Sequence, residues 1–391
     1  MTTIGLTVGT APRDRLEQVG VFALIGLVAA AQLSIAIAQI LLAVAGLCWL
    51  ALHLMRRERL AAPPFFWPLI GYAMFTLLAA GFSRDPVISV ADCKQLSLFL
   101  LIPVDYDFAR GPRARLLLTV VITVGAVSAL VGVVQFAVFN YDILGRRPQG
   151  TLSHWMTYSG TLMLVVCATV ARLLYDTRDR GWAAVVMPAL IVSLLLTSTR
   201  SAWVGAAAGV GIVLLLRDFR LVALLPMAAA FAIGMSPPQV IDRMYSIFDL
   251  NDPTSRDRVA MLQAGVAIVE DHPLTGVGPD MVRHVYPEYR VAGAVQENNI
   301  HLHNVPMQIA AERGLPALAF WLAFIGSALI SLRPLLDRAR HRVLAATAVA
   351  ATVAMLTAGL FEYNFGDSEF LMLYLILLTL PFAAERDGGL P

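Results

Sequence analysis

Residues 19–55, VGVFALIGLVAAAQLSIAIAQILLAVAGLCWLALHLM, form the apolar stretch that decides the fold class. A helix needs about 20 apolar residues to cross the hydrocarbon core of a bilayer. This stretch of 37 residues is therefore too long for one span, and it has the length of two spans joined by a tight turn. The polar residues Gln32 and Ser34 lie near its middle and mark the predicted turn. We predict a helical hairpin that lies in a membrane.

The composition of the whole chain supports the same class. Of its 391 residues, 58% are hydrophobic and only 14% are charged, whereas soluble domains have about 25% charged residues. A soluble protein of this length needs far more charge on its surface, so that class is excluded. The formal net charge of +2 also excludes nucleic-acid binding as the main function, because it provides no basic field for phosphates. We predict an all-α fold and a polytopic membrane protein.

Ten further apolar stretches follow the hairpin, which makes about twelve transmembrane helices. They cover residues 65–82, 87–104, 116–139, 153–174, 182–198, 202–216, 221–235, 315–332, 343–361 and 369–384. Residues 236–314 are mostly polar, and a loop this long is usually functional. We therefore divide the chain into an N-terminal bundle of about nine helices (1–235), a large loop that carries the predicted site (236–314) and three C-terminal helices (315–391).

The distribution of arginine predicts the orientation of the bundle, since short cytoplasmic loops hold most of the Lys and Arg residues of a membrane protein. With the N-terminus inside, most arginines fall in the inner segments. The short outer segments then hold only four, namely Arg84, Arg146, Arg147 and Arg200. Both termini are predicted to be cytoplasmic, and the 236–314 loop is predicted to face the periplasm of a cell with two membranes.

The large loop contains three predicted local structures. Residues 239–250 form a short amphipathic piece, and a helix begins with Thr254 or Ser255 as its N-cap and continues to about residue 271. The last piece, HLHNVPMQIAAERGLP, spans residues 301–316. In it Asn304 is a suitable N-cap and Gly314 a suitable left-handed C-cap residue. A short helix over residues 305–313 is therefore expected where the chain re-enters the membrane.

His303 lies directly before this short helix and is the candidate general base. The positive end of a helix disfavours the imidazolium form, and a neutral imidazole is what a general base needs. A lone loop histidine is otherwise more often a hydrogen-bonded bystander. His301 and His303 do not predict a metal site, because alternation on an extended segment points their side chains apart and no acidic cluster completes a ligand set.

Three arginines near the predicted membrane boundary are candidate anion ligands. Arg200 follows a predicted span, and Arg256 and Arg258 open the loop helix. Cations are unfavourable at a helix N-terminus, so two of them there suggest an anionic partner. Guanidinium groups bind phosphate oxygens with paired hydrogen bonds, which suits a lipid-linked pyrophosphate. The alternatives are an interfacial anchor for Arg200 and a solvated helix face for the other two.

A second polar segment, EYNFGDSE, forms the turn before the last predicted span and is purely acidic in its charges. Its carboxylates, Glu362, Asp367 and Glu369, could pair with the loop arginines or be solvated. The second alternative is favoured.

Several motifs resemble the O-antigen ligase and polymerase superfamily of bacterial inner-membrane glycosyltransferases. His303 and Asn304, followed by nine residues and Gly314, are similar to the family's loop motif of His, then Asn, Ser or Gln, nine residues and Gly. TSTRSAW, which contains Arg200, resembles the arginine motif that closes a mid-chain span, although Val204 stands where the family has leucine. The stretches SRDRVAM and DHPLTGVG resemble the loop segment that carries a second functional arginine.

This resemblance implies an O-antigen ligase that needs no metal or other cofactor and works on the periplasmic face of the inner membrane. Such an enzyme transfers a polysaccharide from undecaprenyl pyrophosphate to a sugar hydroxyl of the lipid A core, with inversion at the anomeric carbon. Carried over by motif, His303 is the general base, and Arg200 and Arg258 hold the pyrophosphate. Arg256 is the alternative to Arg258. The predicted substrate-binding residues are Arg256, Asn304 and His301.

Two alternative functions remain open at this point. An O-antigen or exopolysaccharide polymerase of the same superfamily would use the same donor and loop, and would pass the glycan to a growing chain. A membrane transporter or flippase would use charged residues along a path across the bilayer. Transporters tend to have internal repeats and charges near the midplane, whereas the candidate charges here gather at one face.

Overall fold

The computed structural model describes residues 12–57, 59–141, 145–246 and 252–386. These residues form helices and connecting segments without any strand, so the predicted all-α class is confirmed. The α-helices are α1 (Pro12–Ala30), α2 (Ile35–Arg56), α3 (Phe66–Gly81), α4 (Pro86–Asp92), α5 (Leu101–Phe108), α6 (Pro112–Ala137), α7 (Trp155–Tyr175), α8 (Arg180–Leu196), α9 (Arg200–Arg217), α10 (Leu224–Met235), α11 (Pro238–Tyr245), α12 (Pro253–Asp271), α13 (Val282–Tyr289), α14 (Val305–Asp337), α15 (Arg342–Ala358) and α16 (Ser368–Glu385). Short 3₁₀ segments cover Cys93–Leu100, Phe219–Ala223 and Asn364–Gly366.

Each predicted span coincides with a helix or a continuous helical run, and the polytopic class is confirmed. Within the described residues, seven helical runs are long and apolar enough to cross a bilayer: Ile35–Arg56, Pro86–Phe108, Pro112–Ala137, Trp155–Tyr175, Arg200–Arg217, Val305–Asp337 and Ser368–Glu385. Shorter apolar helices cover Phe66–Gly81, Arg180–Leu196, Phe219–Met235 and Arg342–Ala358. The total of twelve spans, their orientation and the domain boundaries stay predictions.

The centre of the bundle is formed by α7, α9, α15 and α16. Small residues let α9 and α15 approach closely, as is common for helices packed inside a membrane. A Cβ atom added at Gly205 would lie 2.9 Å from the Ala354 carbonyl, and one at Gly209 would lie 2.8 Å from the Ala350 carbonyl. Residues Phe370–Ala384 of α16 are buried along their whole length. The ends of these four helices therefore form a rigid platform beneath the loop.

The large loop folds onto this platform around a small apolar core. Met261 and Ile268 of α12 pack with Val282 and Tyr286 of α13 and with Leu302. The predicted N-cap of α12 was wrong by two or three residues, because the Asp252 carboxylate caps the helix by accepting the Thr254 N–H at 3.0 Å. The predicted amphipathic piece 239–250 is helical over Pro238–Tyr245, and its positions 247–250 lie outside the described residues.

The re-entry helix has the predicted caps. The Asn304 side chain accepts the Met307 N–H at 2.9 Å, and Gly314 interrupts the helical run of α14 with φ 80°. Gly314 is required there for a second reason, since a Cβ atom would overlap the backbone of Leu274. The Gly278 N–H donates to the Glu312 carbonyl at 2.9 Å, and the Leu315 N–H donates to the Pro273 carbonyl at 2.8 Å. The turn at 272–278 is thus bonded to the kink in α14.

Candidate functional site

The candidate site centres on Glu362, whose carboxylate bridges two histidines. Its Oε2 lies 2.9 Å from His303 Nδ1, and its Oε1 lies 3.0 Å from His301 Nε2. The two rings are 4.2 Å apart. The prediction that they point apart was wrong, because His303 has a left-handed backbone with φ 48° and breaks the alternation of an extended strand. The prediction of a solvated turn was also wrong for Glu362, whose side chain is only 13% exposed.

This bridge determines which ring nitrogen of a neutral His303 carries the proton. Burial alone would raise the pKa of Glu362, but the hydrogen bonds from His301 and His303 hold that pKa well below the usual carboxyl range. Glu362 is therefore ionised at neutral pH and accepts the Nδ1–H of His303. In a neutral imidazole the other nitrogen, Nε2, then carries the lone pair. A carboxylate that orients a histidine in this way is the arrangement of a general base and its positioning group.

The same three side chains could also hold a divalent metal ion. The ligand atoms of His301, His303 and Glu362 all lie within 4.8 Å of one another. The sequence argument that no acidic residue completes a ligand set was therefore wrong. In the hydrogen-bonded arrangement, Glu362 uses both carboxylate oxygens to fix the two rings. The absence of a metal requirement stays a prediction that a chelator tests directly.

Arg200 is held at the beginning of α9 by the loop. Its guanidinium donates to the Ser246 carbonyl at 2.7 Å and to Asp252 Oδ1 at 3.1 Å. The side chain is 7% exposed. Arg200 is thus buried between the bundle, the end of α11 and the beginning of α12, and it does not have the solvated head group of an interfacial anchor.

Four arginines line one cavity of about 410 Å³ that also contains His303, which we call the arginine cavity. They are Arg147, Arg200, Arg243 and Arg258. Burial and the neighbouring Arg200 and Arg147 lower the pKa of Arg243 to about 10. Burial is also the main cause that lowers the pKa of Arg258, and Arg200 adds to it. These shifts report cations that repel one another in a partly desolvated space, which a bound anion would relieve.

The fold distinguishes the two arginines that the sequence left as alternatives. Arg258 faces the arginine cavity with Arg200 and His303, whereas Arg256 is exposed to solvent. A separation of two residues on a helix corresponds to a rotation of about 200°, so the side chains of Arg256 and Arg258 point to opposite sides of α12.

The other predicted substrate-binding residues are placed nearby. Asn304 uses its side chain for the helix cap and for a hydrogen bond to the Leu360 carbonyl at 3.1 Å. His301 lines a different cavity from His303. The catalytic and binding roles of all these residues stay predictions.

Three site residues were missed by the sequence argument. Glu362 lies 59 residues after His303, in a turn that was expected to be solvated. Arg147 belongs to the connection between α6 and α7, and Arg243 belongs to α11. The only signal for Arg147 was its position in a short outer loop, and nothing in the sequence linked Arg243 to the site.

A third space adjoins the arginine cavity and is mainly apolar. This apolar cavity has a volume of about 250 Å³ and shares Arg200, Arg258 and His303 with the arginine cavity. Its other walls are mostly hydrophobic and come from α9, α12, the segment before α14 and the beginning of the connection between α15 and α16: Val204, Val259, Leu262, Leu302, Leu360 and Phe361. The charged groups thus lie beside a space that suits a hydrocarbon chain.

Fold and site together define a polytopic helical membrane protein with a histidine–carboxylate pair and an arginine cluster at one end of its bundle. Residues 183–322 of the chain match the model of the O-antigen ligase family. This match includes Arg200, Arg258 and His303, and it confirms the resemblance to the O-antigen ligase and polymerase superfamily. Over these residues the chain is therefore similar to the O-antigen ligase family. No curated protein matches the chain.

Proposed function

We propose that the protein is an O-antigen ligase of a bacterial inner membrane, with both termini in the cytoplasm. It would transfer a polysaccharide from undecaprenyl pyrophosphate to a sugar hydroxyl of the lipid A core, on the periplasmic face. The observation that supports this most directly is the position of His303, which is paired with Glu362 and shares a cavity with four arginines.

The arginine cavity is the proposed donor site. Guanidinium groups bind phosphate oxygens in a fork geometry, and several of them can neutralise a pyrophosphate. As the sugar leaves, negative charge grows on the pyrophosphate, and fixed cations lower the energy of that state. The apolar cavity shares Arg200 and Arg258, so the first isoprene units of the carrier would lie there while the diphosphate stays among the arginines.

His303 is the proposed general base. Its Nε2 takes the proton from the acceptor hydroxyl, and the acceptor oxygen forms a bond to the anomeric carbon of the donor sugar. The bond between that carbon and the pyrophosphate oxygen breaks, and its electron pair leaves with undecaprenyl pyrophosphate. Glu362 stabilises the imidazolium that forms, as a buried carboxylate does in a catalytic triad. Attack from the side opposite the leaving group inverts the anomeric carbon. This sequence of steps uses no metal and no other cofactor.

A polymerase of the same superfamily would use the same donor chemistry with a growing glycan as its acceptor, and the family match includes both branches. Transport is less well supported, because the clustered cations lie at the loop end of the bundle rather than along a path through it. Complementation of cells that lack their own ligase separates the three functions. Restored long-chain lipopolysaccharide supports ligation, and restored polymer length alone supports polymerisation. If neither product is restored, the result contradicts glycan transfer.

A purified reaction tests the chemistry without the cell. The full-length protein in detergent or nanodiscs is supplied with an undecaprenyl-pyrophosphate-linked oligosaccharide and lipid A core. We expect a glycosylated lipid A core with an inverted linkage. A product with retained configuration would contradict the proposed single displacement.

A further inference from the structure

A second polar cavity lies on the far side of the bridged histidines from the arginine cavity. It has a volume of about 260 Å³ and is enclosed by the beginnings of α7, α9 and α16 and by residues 358–367. His301 and Glu362 line it, whereas His303 lines the arginine cavity. The Glu362 carboxylate thus joins two rings that face different cavities.

The two cavities differ in charge. Among the described residues that line the polar cavity there is no Arg or Lys, and its polar groups include His154, Thr157, Asn364 and Asp367 in addition to the bridge. A pyrophosphate placed there would face the carboxylates of Asp367 and Glu362 without a compensating guanidinium. The polar cavity therefore suits a neutral group with many hydroxyls, whereas the arginine cavity suits an anion.

The polar cavity has hydrogen-bonding capacity that the protein leaves unused. Asn364 is 7% exposed, and its amide nitrogen donates to the Met355 carbonyl at 3.1 Å. Its Oδ1 is buried and has no hydrogen-bond partner in the described part of the chain. An unsatisfied buried acceptor costs about 1–3 kcal/mol, so a hydroxyl that donates to it would be stabilised.

The polar cavity is also lined by a hydrogen-bond donor and a carboxylate. His154 accepts the Met156 N–H at its Nδ1, at 3.2 Å, so its Nε2 carries the proton in the neutral ring. Burial lowers the pKa of His154, which favours that neutral form. Asp367 accepts a short hydrogen bond from the Thr157 hydroxyl. Donors and acceptors are thus arranged around one space, as a sugar ring requires.

The two cavities are close enough to serve one reaction. Met156, Thr199 and Ser201 line both of them, so the two spaces adjoin at these residues. A sugar in the polar cavity can therefore present one hydroxyl toward the His303 side of the bridge while a diphosphate lies among the arginines.

We propose that the polar cavity is the acceptor site and binds the sugar whose hydroxyl is glycosylated, with Asn364, Thr157, Asp367 and His154 as its hydrogen-bonding residues. This assignment rests on the glycan transfer proposed above and adds a location for the second substrate. The acceptor sugar could belong to lipid A core or to another lipid-linked glycan, because both offer the same hydroxyl chemistry.

The test is a comparison of acceptor and donor kinetics in the purified full-length protein. Undecaprenyl-pyrophosphate-linked oligosaccharide is the donor, and lipid A core or a second lipid-linked oligosaccharide is the acceptor in parallel arms. Thr157→Val is nearly isosteric and removes the hydroxyl that contacts Asp367. Thr161→Val is the matched control, since Thr161 lies one turn further along α7, donates to the Tyr158 carbonyl at 2.9 Å and lines neither cavity.

We expect Thr157→Val to raise the acceptor KM by about threefold to tenfold, the effect of weakening about one neutral hydrogen bond. The donor KM and the Thr161→Val control are expected to match the wild type. His154→Phe keeps a ring against Trp155 but loses both ring nitrogens, so its acceptor KM is expected to rise as well.

Two results overturn the assignment in different ways. A rise in donor KM alone, or kinetics for Thr157→Val that equal those of Thr161→Val, refutes the acceptor site while glycan transfer stands. A wild-type protein that forms no product with either acceptor refutes glycan transfer, and the acceptor site is refuted with it.

Discussion

Buried charges lie at both ends of the bundle, but the two ends differ in how these charges are paired. At the end away from the loop, Asp107 accepts hydrogen bonds from Trp49 at 2.7 Å, from Arg110 at 2.7 Å and from Arg386. At the loop end, four guanidinium groups share one cavity, and Asp252 is within salt-bridge distance of two of them, Arg200 and Arg243.

The difference is between charges that are paired with partners of opposite sign and charges of one sign that share a cavity. The Asp107 cluster connects α2, α5 and α16 and satisfies its carboxylate from several sides. The arginine cavity keeps cations close to one another in a partly buried space, where burial, and after it the neighbouring arginines, lower the pKa values of Arg243 and Arg258. An excess of one charge sign in a partly buried space is therefore a better indication of a binding site than a cluster of paired charges.

The largest expected effect is at the proposed base. His303→Ala is expected to lower kcat by about 10²–10⁴-fold, because general base catalysis typically contributes that much. Expression and donor binding should stay near the wild-type level. His284→Ala, on the exposed face of α13, is the control. Wild-type turnover by His303→Ala would remove this residue from the mechanism.

The next largest effect tests whether an arginine must lie in the arginine cavity to act on the donor, or whether any positive charge near the cavity is sufficient. Arg258→Gln removes a cavity arginine, and we expect kcat/KM for the donor to fall by about 100-fold through loss of charge-assisted hydrogen bonds. Arg256→Gln removes the same charge two residues away on the exposed face and is expected to leave the kinetics nearly unchanged. Equal losses in both variants would show that the cavity does not discriminate between them.

A change at the opposite end should affect stability rather than substrate use. Asp107→Asn leaves Arg110 and Arg386 without their shared carboxylate, at a cost of about 1–3 kcal/mol. A lower melting temperature in detergent with an unchanged donor KM is the expected result. If donor KM rose as much as in Arg258→Gln, the two ends would not be functionally distinct.

The smallest expected effect concerns metal ions. Transfer measured after dialysis against EDTA should equal transfer with added Mg²⁺, Mn²⁺ or Zn²⁺, because the hydrogen bonds from His301 and His303 already occupy both carboxylate oxygens of Glu362. Loss of activity with EDTA and recovery with one of these ions would favour the metal-ligand alternative for the same three side chains.

The helices and their caps could be predicted from the sequence because the signals are local. The apolar length of each span, the Asn304 cap and the positive φ of Gly314 depend on neighbouring residues and on the membrane. The start of α12 was misjudged because Asp252, Thr254 and Ser255 are all acceptable caps, and local preference does not choose among them.

The candidate site was predicted only in part. His303, Arg200 and Arg258 came from a base at a helix terminus and from motif resemblance, and the fold brings these three together. The relation between His301 and His303 was misjudged, since a single left-handed residue reverses the expected directions of the side chains. Glu362 could not be linked to them, because an acidic turn has the same composition whether it is solvated or buried.

The amino-acid sequence alone indicated that this protein is a helical membrane protein and which of its segments form apolar helices, because the hydrophobic contribution to burial is roughly proportional to local apolar surface. The tertiary structure decided which distant polar groups meet. Close packing of α9 against α15 and the bonds between the 272–278 turn and the Gly314 kink position the loop over the helix ends. That docking sets Glu362 between two histidines and gathers arginines from four separate segments, and such contacts depend on packing across the whole bundle.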